Sequence, residues 1–204
     1  MIVLASASPR RKYLLSLLVQ EFEVLPADID ESPSINEPPA IYVKRMALEK
    51  AQAIQIILSQ QSTRSTKQNT IIIAADTSVV IDNKILGKPV NLQDSLSMLR
   101  LLSGQTHQVM TSLCVLDCRS NEVTLQNIIT KVTFRSITDS EIEQYWLSGE
   151  PQDKAGSYGA QGLGSIFIEH ISGSFSAVIG LPMFETAQLL KQVGVIPLEE
   201  MCHE

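Results

Sequence analysis

With three cysteines in 204 residues, the chain has no disulfide framework to lean on. Cys114 and Cys118 lie in "SLCVLDCRS" with no second Cys or His pair near in sequence, so no zinc site is expected. Histidine is equally sparse, and His107, His170 and His203 are scattered along the chain as packing or surface residues. No apolar run is long enough to span a bilayer and no targeting segment is visible, so a cytoplasmic setting without a membrane partner is expected. Basic charge is also in short supply. Sixteen Lys and Arg face twenty-two Asp and Glu, a net charge of −6, which excludes the broad basic face of a nucleic-acid binder. One local cationic pocket for a small anion is compatible with that balance.

What is present is aliphatic. The chain is 44% hydrophobic but only 5% aromatic and 19% charged, a composition that folds rather than staying disordered. Its length supports a sizeable core in one globular domain over residues 1–204. "MIVLAS" reads as a short buried strand and "PRRKYLLSLLV" as the first helix, with Ser8 as N-cap and Pro9 at the first helical position. "FEVLPADIDES" reads as a strand ending in an acidic loop. "PPAIYVKRMALEKAQAIQIILSQ" is a long helix whose inner face carries Val43, Met46, Ala47, Ala51, Ile54, Ile57 and Leu58. A polar loop follows, including Ser62 to Gln68. "TIIIAADTSVVID" is suited to a strand buried on both faces. Then come a turn, a helix stopped by Gly104, a β-hairpin joined by "CRSN", a T-x-x-E helix start at Thr138 to Glu141, a glycine-rich stretch, a strand, and a last helix with Pro182 near its start. The alternation predicts a mixed α/β fold.

Five features break local rules. Arg10, Arg11 and Lys12 crowd the positive end of the first helix dipole, where cations are unfavourable unless they serve an anion or point to water. Arginine offers planar phosphate contacts, and Ser6 and Ser8 could add hydroxyls. Asp76 interrupts a buried strand, where a carboxylate is costly unless paired, hydrogen-bonded or metal-bound; the alternative is a strand end in solvent. Lys50 shares a helix face with Val43, Ala47, Ile54 and Ile57, either snorkelling from its edge or aimed at a phosphate, and Lys88 is either a second such cation or a solvated turn residue. Asp28, Asp30 and Glu31 form an acidic group that could help hold Mg²⁺ or simply be a solvated loop. The glycines at 156, 159, 162 and 164 match neither dinucleotide nor P-loop patterns. They could admit a flat ligand, with Gln161 reading a base edge, or be plain turns. Together these residues describe a nucleotide phosphohydrolase or a nucleotide binder.

The ordered segments "LASASPRR", "RMALEKA", "AADTSVVIDNKILGKP", "LSGQTHQVMT", "DKAGSYGAQGLG" and "GLPMFET" resemble the Maf family of nucleotide pyrophosphatases over almost the full length. The resemblance implies hydrolysis of a nucleoside triphosphate to the monophosphate and pyrophosphate, with a divalent metal, Mg²⁺ or Mn²⁺, as cofactor. It implies a mixed, elongated and twisted sheet flanked by helices, with two lobes around a cleft, often assembled as a homodimer, and a link to division arrest and removal of unwanted nucleotides. The similarity is closest to the branch acting on dTTP and UTP. There Asp76 matches the proton acceptor, and Arg10, Thr77 and Gln161 match positions of substrate choice. Ser6, Arg11, Glu31, Lys50 and Lys88 match other cleft residues; of these, Ser6, Arg11, Lys50 and Lys88 are expected to bind phosphate and Glu31 to help hold the metal. The neighbouring branch, which prefers 7-methyl-GTP, has Ser-Asp-Gln where this chain has Ala75-Asp76-Thr77, and Glu where Gln161 stands.

Overall fold

A computed structural model describes residues 1–61 and 69–197; the polar loop read at Ser62 to Gln68 lies outside them, as does His203. The chain packs as two compact units, each assembled from separate stretches of sequence. Unit 1 comprises Met1–Asp76, Thr111–Ile128 and Gly180–Glu204; unit 2 comprises Thr77–Met110 and Ile129–Ile179. Among the described residues no helix is long and apolar enough to cross a membrane.

In unit 1, β1 (Ile2–Leu4) lies between β2 (Glu23–Val24) and the first part of β3 (Ile71–Ile81), parallel to both. Parallel neighbours need crossovers, and the helices supply them. α1 (Pro9–Ser16) links β1 to β2, and α2 (Pro39–Gln61) links β2 to β3. Val3, Ala5, Ile72 and Ala74 meet Ala47, Ala51 and Ile54 of α2, all at 0% exposure, with Cys114 and Leu116. Small alanines on α2 let the helix lie close to the sheet. Cys114 is buried here, and burial pushes its thiol up to about 12. It packs as an apolar residue.

Unit 2 holds the end of β3, its hairpin partner β4 (Lys84–Leu86), and β7 (Ile168–Ser172) paired antiparallel to the end of β6 (Glu122–Phe134). Asp82 and Asn83 turn the β3–β4 hairpin with φ of 49° and 61°, left-handed values that Asn and Asp tolerate best after Gly. α3 (Leu92–Leu102) and α4 (Asp139–Leu147) complete the unit with a short helix, α5 (Phe175–Ile179). The predicted start of α4 is a full capping box, with Thr138 and Glu141 satisfying one another's backbone N–H groups. Phe134, Phe167, Tyr145, Tyr158, Leu99 and Leu102 form the core. The last helix, α6 (Met183–Gln192), returns to unit 1.

β5 (Thr106–Asp117) and β6 form the hairpin read from "CRSN", and both run from one unit into the other, as β3 does. Among the described residues the strands form one seven-stranded mixed sheet in the order β2-β1-β3-β5-β6-β7, with β4 on β3. The mixed α/β architecture agrees with the sequence reading. Two elements differ. The strand read over "FEVLPADIDES" shrinks to Glu23–Val24, the residues in register with Val3 and Leu4 of the short β1. α5 was not expected at all.

Candidate active site

The strand order of unit 1 reverses at β1, which has β2 on one side and β3 on the other. In open parallel sheets ligands bind off the carboxyl ends of strands at such a switch point. Two segments meet that description here: the turn after β1 with Ser6, leading into the first turn of α1 with Arg10 and Arg11, and the loop after β2 carrying Glu31; β3 adds Asp76 from within its length.

Asp76 is not a strand end. β3 runs without interruption from Ile71 to Ile81, and the carboxylate is buried within it. The two-residue period of the strand puts Asp76 on the face of Ile72 and Ala74, which is the face covered by α2. Lys50 stands on that same face of α2, one turn from Ala47 and one turn from Ile54. The two side chains therefore meet: Lys50 Nζ lies 2.8 Å from Asp76 Oδ1 and 2.7 Å from Glu31 Oε1. Lys50 does not snorkel to water. Its side chain is 9% exposed and Asp76 11%, while Glu31 at 55% forms the wet end of the cluster. Of the acidic group, only Glu31 joins it. Asp28 and Asp30 are exposed, and Asp30 accepts the Ser32 N–H in a local turn.

The cationic first turn divides in two. Lys12 is exposed, as the solvent reading requires. Arg11 folds back: its Nε donates to the Gly180 carbonyl at 2.8 Å and its Nη1 to Ser6 Oγ at 3.2 Å. Ser6 Oγ also accepts the Ser8 N–H, and Ser8 Oγ caps the helix by accepting the Arg11 N–H. Burial lowers the Arg11 guanidinium from its ordinary range; Asp76 and Glu31 oppose that shift, and neighbouring Arg10 adds to it. Arg10, Glu31 and Asp76 thus all lie within electrostatic reach of Arg11 in unit 1.

Sequence reasoning missed two residues of this neighbourhood. The Tyr42 hydroxyl donates to the Glu31 carbonyl at 2.8 Å. Burial pushes that hydroxyl up to about 12, with the Asp76 and Glu31 charges adding to the effect. Arg45 makes paired bonds of 2.7 Å to Glu37 and also reaches the Ser32 carbonyl at 3.0 Å. Together they tie the acidic loop to α2. The signal was present: Tyr42, Met46 and Lys50 share one helix stripe, and Arg45–Glu49 is an i,i+4 pair.

The remaining predicted site residues belong to unit 2. Thr77 follows Asp76 on β3 and is half-buried, while Lys88 and Gln161 are exposed. Gln161 sits in the glycine-rich stretch, between two short 3₁₀ turns, Ala155–Ser157 and Leu163–Phe167. His107 Nε2 contacts the Tyr158 hydroxyl at 2.8 Å inside the aromatic core, and among the described residues no group of three or more His, Cys, Asp or Glu could hold a metal ion. Two carboxylates do converge on one point, the Lys50 ammonium. That donor set suits a hard divalent cation carried in with phosphate oxygens, since Mg²⁺ takes one or two carboxylates plus phosphate and water rather than an all-protein cage.

Comparison with known proteins adds two findings. A family model described as "Maf-like protein" matches residues 1–193. The chain is 48% identical over 195 residues to a dTTP/UTP pyrophosphatase of Pseudoalteromonas atlantica, covering 96% of this chain and 98% of that one. Proteins of the same name from Pasteurella multocida and Vibrio parahaemolyticus are each 46% identical, over 94% of this chain and 95% and 96% of theirs.

Proposed function

The chain belongs to the Maf family, and on that premise we propose that it is a nucleoside triphosphate pyrophosphatase that hydrolyses dTTP and UTP to the nucleoside monophosphate and pyrophosphate. The observation that carries the proposal is the Glu31–Lys50–Asp76 cluster beside the Arg11 turn, an acid and base arrangement that a fold alone does not require.

In this reading Asp76 accepts a proton from water as the water oxygen bonds to the α phosphorus. The bond from that phosphorus to the α–β bridging oxygen breaks, and pyrophosphate leaves. Lys50 has three N–H donors; two point at Glu31 and Asp76, and the third meets a phosphate oxygen. Arg11, Ser6 and Lys88 bind phosphate, so charge developing on the leaving group meets fixed donors. A divalent cation, Mg²⁺ or Mn²⁺, would be held by Glu31 and would neutralise phosphate oxygens when bound. Arg10, Thr77 and Gln161 choose the substrate. Thr77 and Gln161 favour a pyrimidine over the 7-methyl-GTP of the neighbouring branch. A single catalytic domain, a cytoplasmic homodimer and a role in clearing unwanted nucleotides or arresting division belong to the same proposal.

The test is product identity. Purified protein with dTTP or UTP and a divalent cation is expected to release pyrophosphate and monophosphate in equal amounts, measured apart from orthophosphate. Release of diphosphate and orthophosphate would place the attack on the γ phosphorus and reject the assignment.

A further inference from the structure

The glycine-rich stretch is wrapped around a carboxylate of the protein itself. Glu150 Oε1 accepts from the Tyr145 hydroxyl at 2.7 Å and from the Gly164 N–H at 3.0 Å, and Oε2 accepts from the Leu163 N–H at 2.8 Å. The Tyr145 oxygen in turn accepts the Gly159 N–H at 3.0 Å. Lys154 Nζ closes the ring by donating to the Glu150 carbonyl at 2.6 Å. This geometry explains the glycines. A Cβ on Gly159 would lie 2.8 Å from Glu150 Oε1, one on Gly164 would lie 2.6 Å from the Tyr145 hydroxyl, and one on Gly162 would collide with the Glu150 carboxylate. Burial works against ionised Glu150, but the Gly164, Tyr145 and Leu163 donors outweigh it and hold the carboxyl below its ordinary range.

Gln161 lies between the tied positions, two residues after Gly159 and two before Leu163. A loop this rich in glycine would otherwise lose much freedom on meeting a ligand, and that loss weakens binding. We propose that Glu150 is a positioning residue for nucleotide choice: through Leu163, Gly164 and the Tyr145–Gly159 bridge it fixes the backbone on both sides of Gln161, and so the angle at which that amide meets the base. The proposal rests on the reading of Gln161 as a base-contacting residue.

Two variants remove the anchor with little change of shape. Glu150→Gln replaces one acceptor oxygen with an NH₂ group. Tyr145→Phe keeps the ring against Phe167, whose centroid is 5.1 Å away, and deletes the bridging hydroxyl. Each is expected to raise KM for dTTP and UTP by about tenfold, to leave kcat within about twofold, and to reduce the preference for UTP over CTP. Gln161→Glu, measured beside them, is expected to lower that preference by itself, and adding Glu150→Gln should change it no further. Circular dichroism and melting curves identify folded variants; if Glu150→Gln does not fold, Tyr145→Phe decides. A loss of kcat with KM and preference unchanged overturns the proposal and makes Glu150 a purely structural anchor. If Gln161→Glu shifts the preference and neither anchor variant does, the proposal falls and the reading of Gln161 stands. If Gln161→Glu leaves the preference unchanged, both fall.

Discussion

A lysine ammonium taken out of water beside two carboxylates carries a desolvation cost that only close pairing offsets. Lys50 has that pairing twice, and the redundancy shapes what a substitution does. Asp76→Asn keeps the side chain's shape and removes its charge. Turnover should fall by roughly a hundredfold or more, the scale of a lost general base. Stability should fall by much less than the ~3–5 kcal/mol of an orphaned buried charge, because Glu31 still meets the ammonium. Pyrophosphate release and thermal melts of the same preparations check both halves. A variant that melts far lower yet keeps its activity per folded molecule would sink the catalytic role. Arg11 behaves differently. It ties α1 to the Gly180 carbonyl and to Ser6, so Arg11→Ala removes two hydrogen bonds as well as a phosphate donor. It should lower activity and also cost about 1–3 kcal/mol of stability, read from denaturant midpoints. Unchanged stability with lost activity would mean that the Gly180 contact contributes nothing to the fold.

At the scale of elements, β5 carries a titration expected to show in a stability profile below neutral pH. His107 points into the aromatic core of unit 2, edge-on to Phe134 and Tyr158, and burial lowers it to about 4. The folded state therefore resists a proton that the unfolded chain accepts near its usual pKa of about 6.5. Stability should be full above that value and fall as pH drops toward 4, by at most about 3 kcal/mol. Melting temperatures of the protein and of His107→Gln between pH 7 and 4 check this; the variant's profile should be flatter, and parallel profiles would refute it. The elements themselves were largely legible in the sequence because they follow period and capping: α2 from its apolar stripe, β3 from its continuous run, α4 from Thr138 and Glu141. The site was legible in part. Lys50 and Asp76 stood out as charges on apolar faces, since that anomaly is local. Their mutual contact did not, because the partners lie 26 residues apart in the chain and meet only through packing of α2 on β3. Glu150 was invisible for the same reason. Its partners at 163 and 164 become neighbours only when the glycine-rich stretch closes on it.

For the whole molecule, the way the chain is shared between units decides how it should unfold. Neither unit is continuous. Unit 1 is made of three stretches joined only through unit 2, and unit 2 of two stretches joined only through unit 1. β3 passes from one to the other at Asp76–Thr77, so the carboxylate read as proton acceptor and the threonine read as selecting the base are adjacent on one strand. β5 and β6 cross in the same way. A unit assembled from separated stretches must close long loops through the other, and that entropy is recovered only when the other is folded. Independent unfolding would also require three strands to fray at their middles, two of them, β3 and β5, within runs that are largely buried. A single cooperative transition is therefore expected, as for one domain. The chain offers a direct measurement, because its one tryptophan, Trp146, lies on α4 and reports on unit 2 alone, whereas far-ultraviolet circular dichroism reports on both units. Urea curves from the two probes should coincide in midpoint and slope. A fluorescence transition separated from the dichroism transition, or a folded fragment spanning residues 77–179 alone, would show that the crossing strands do not couple the units.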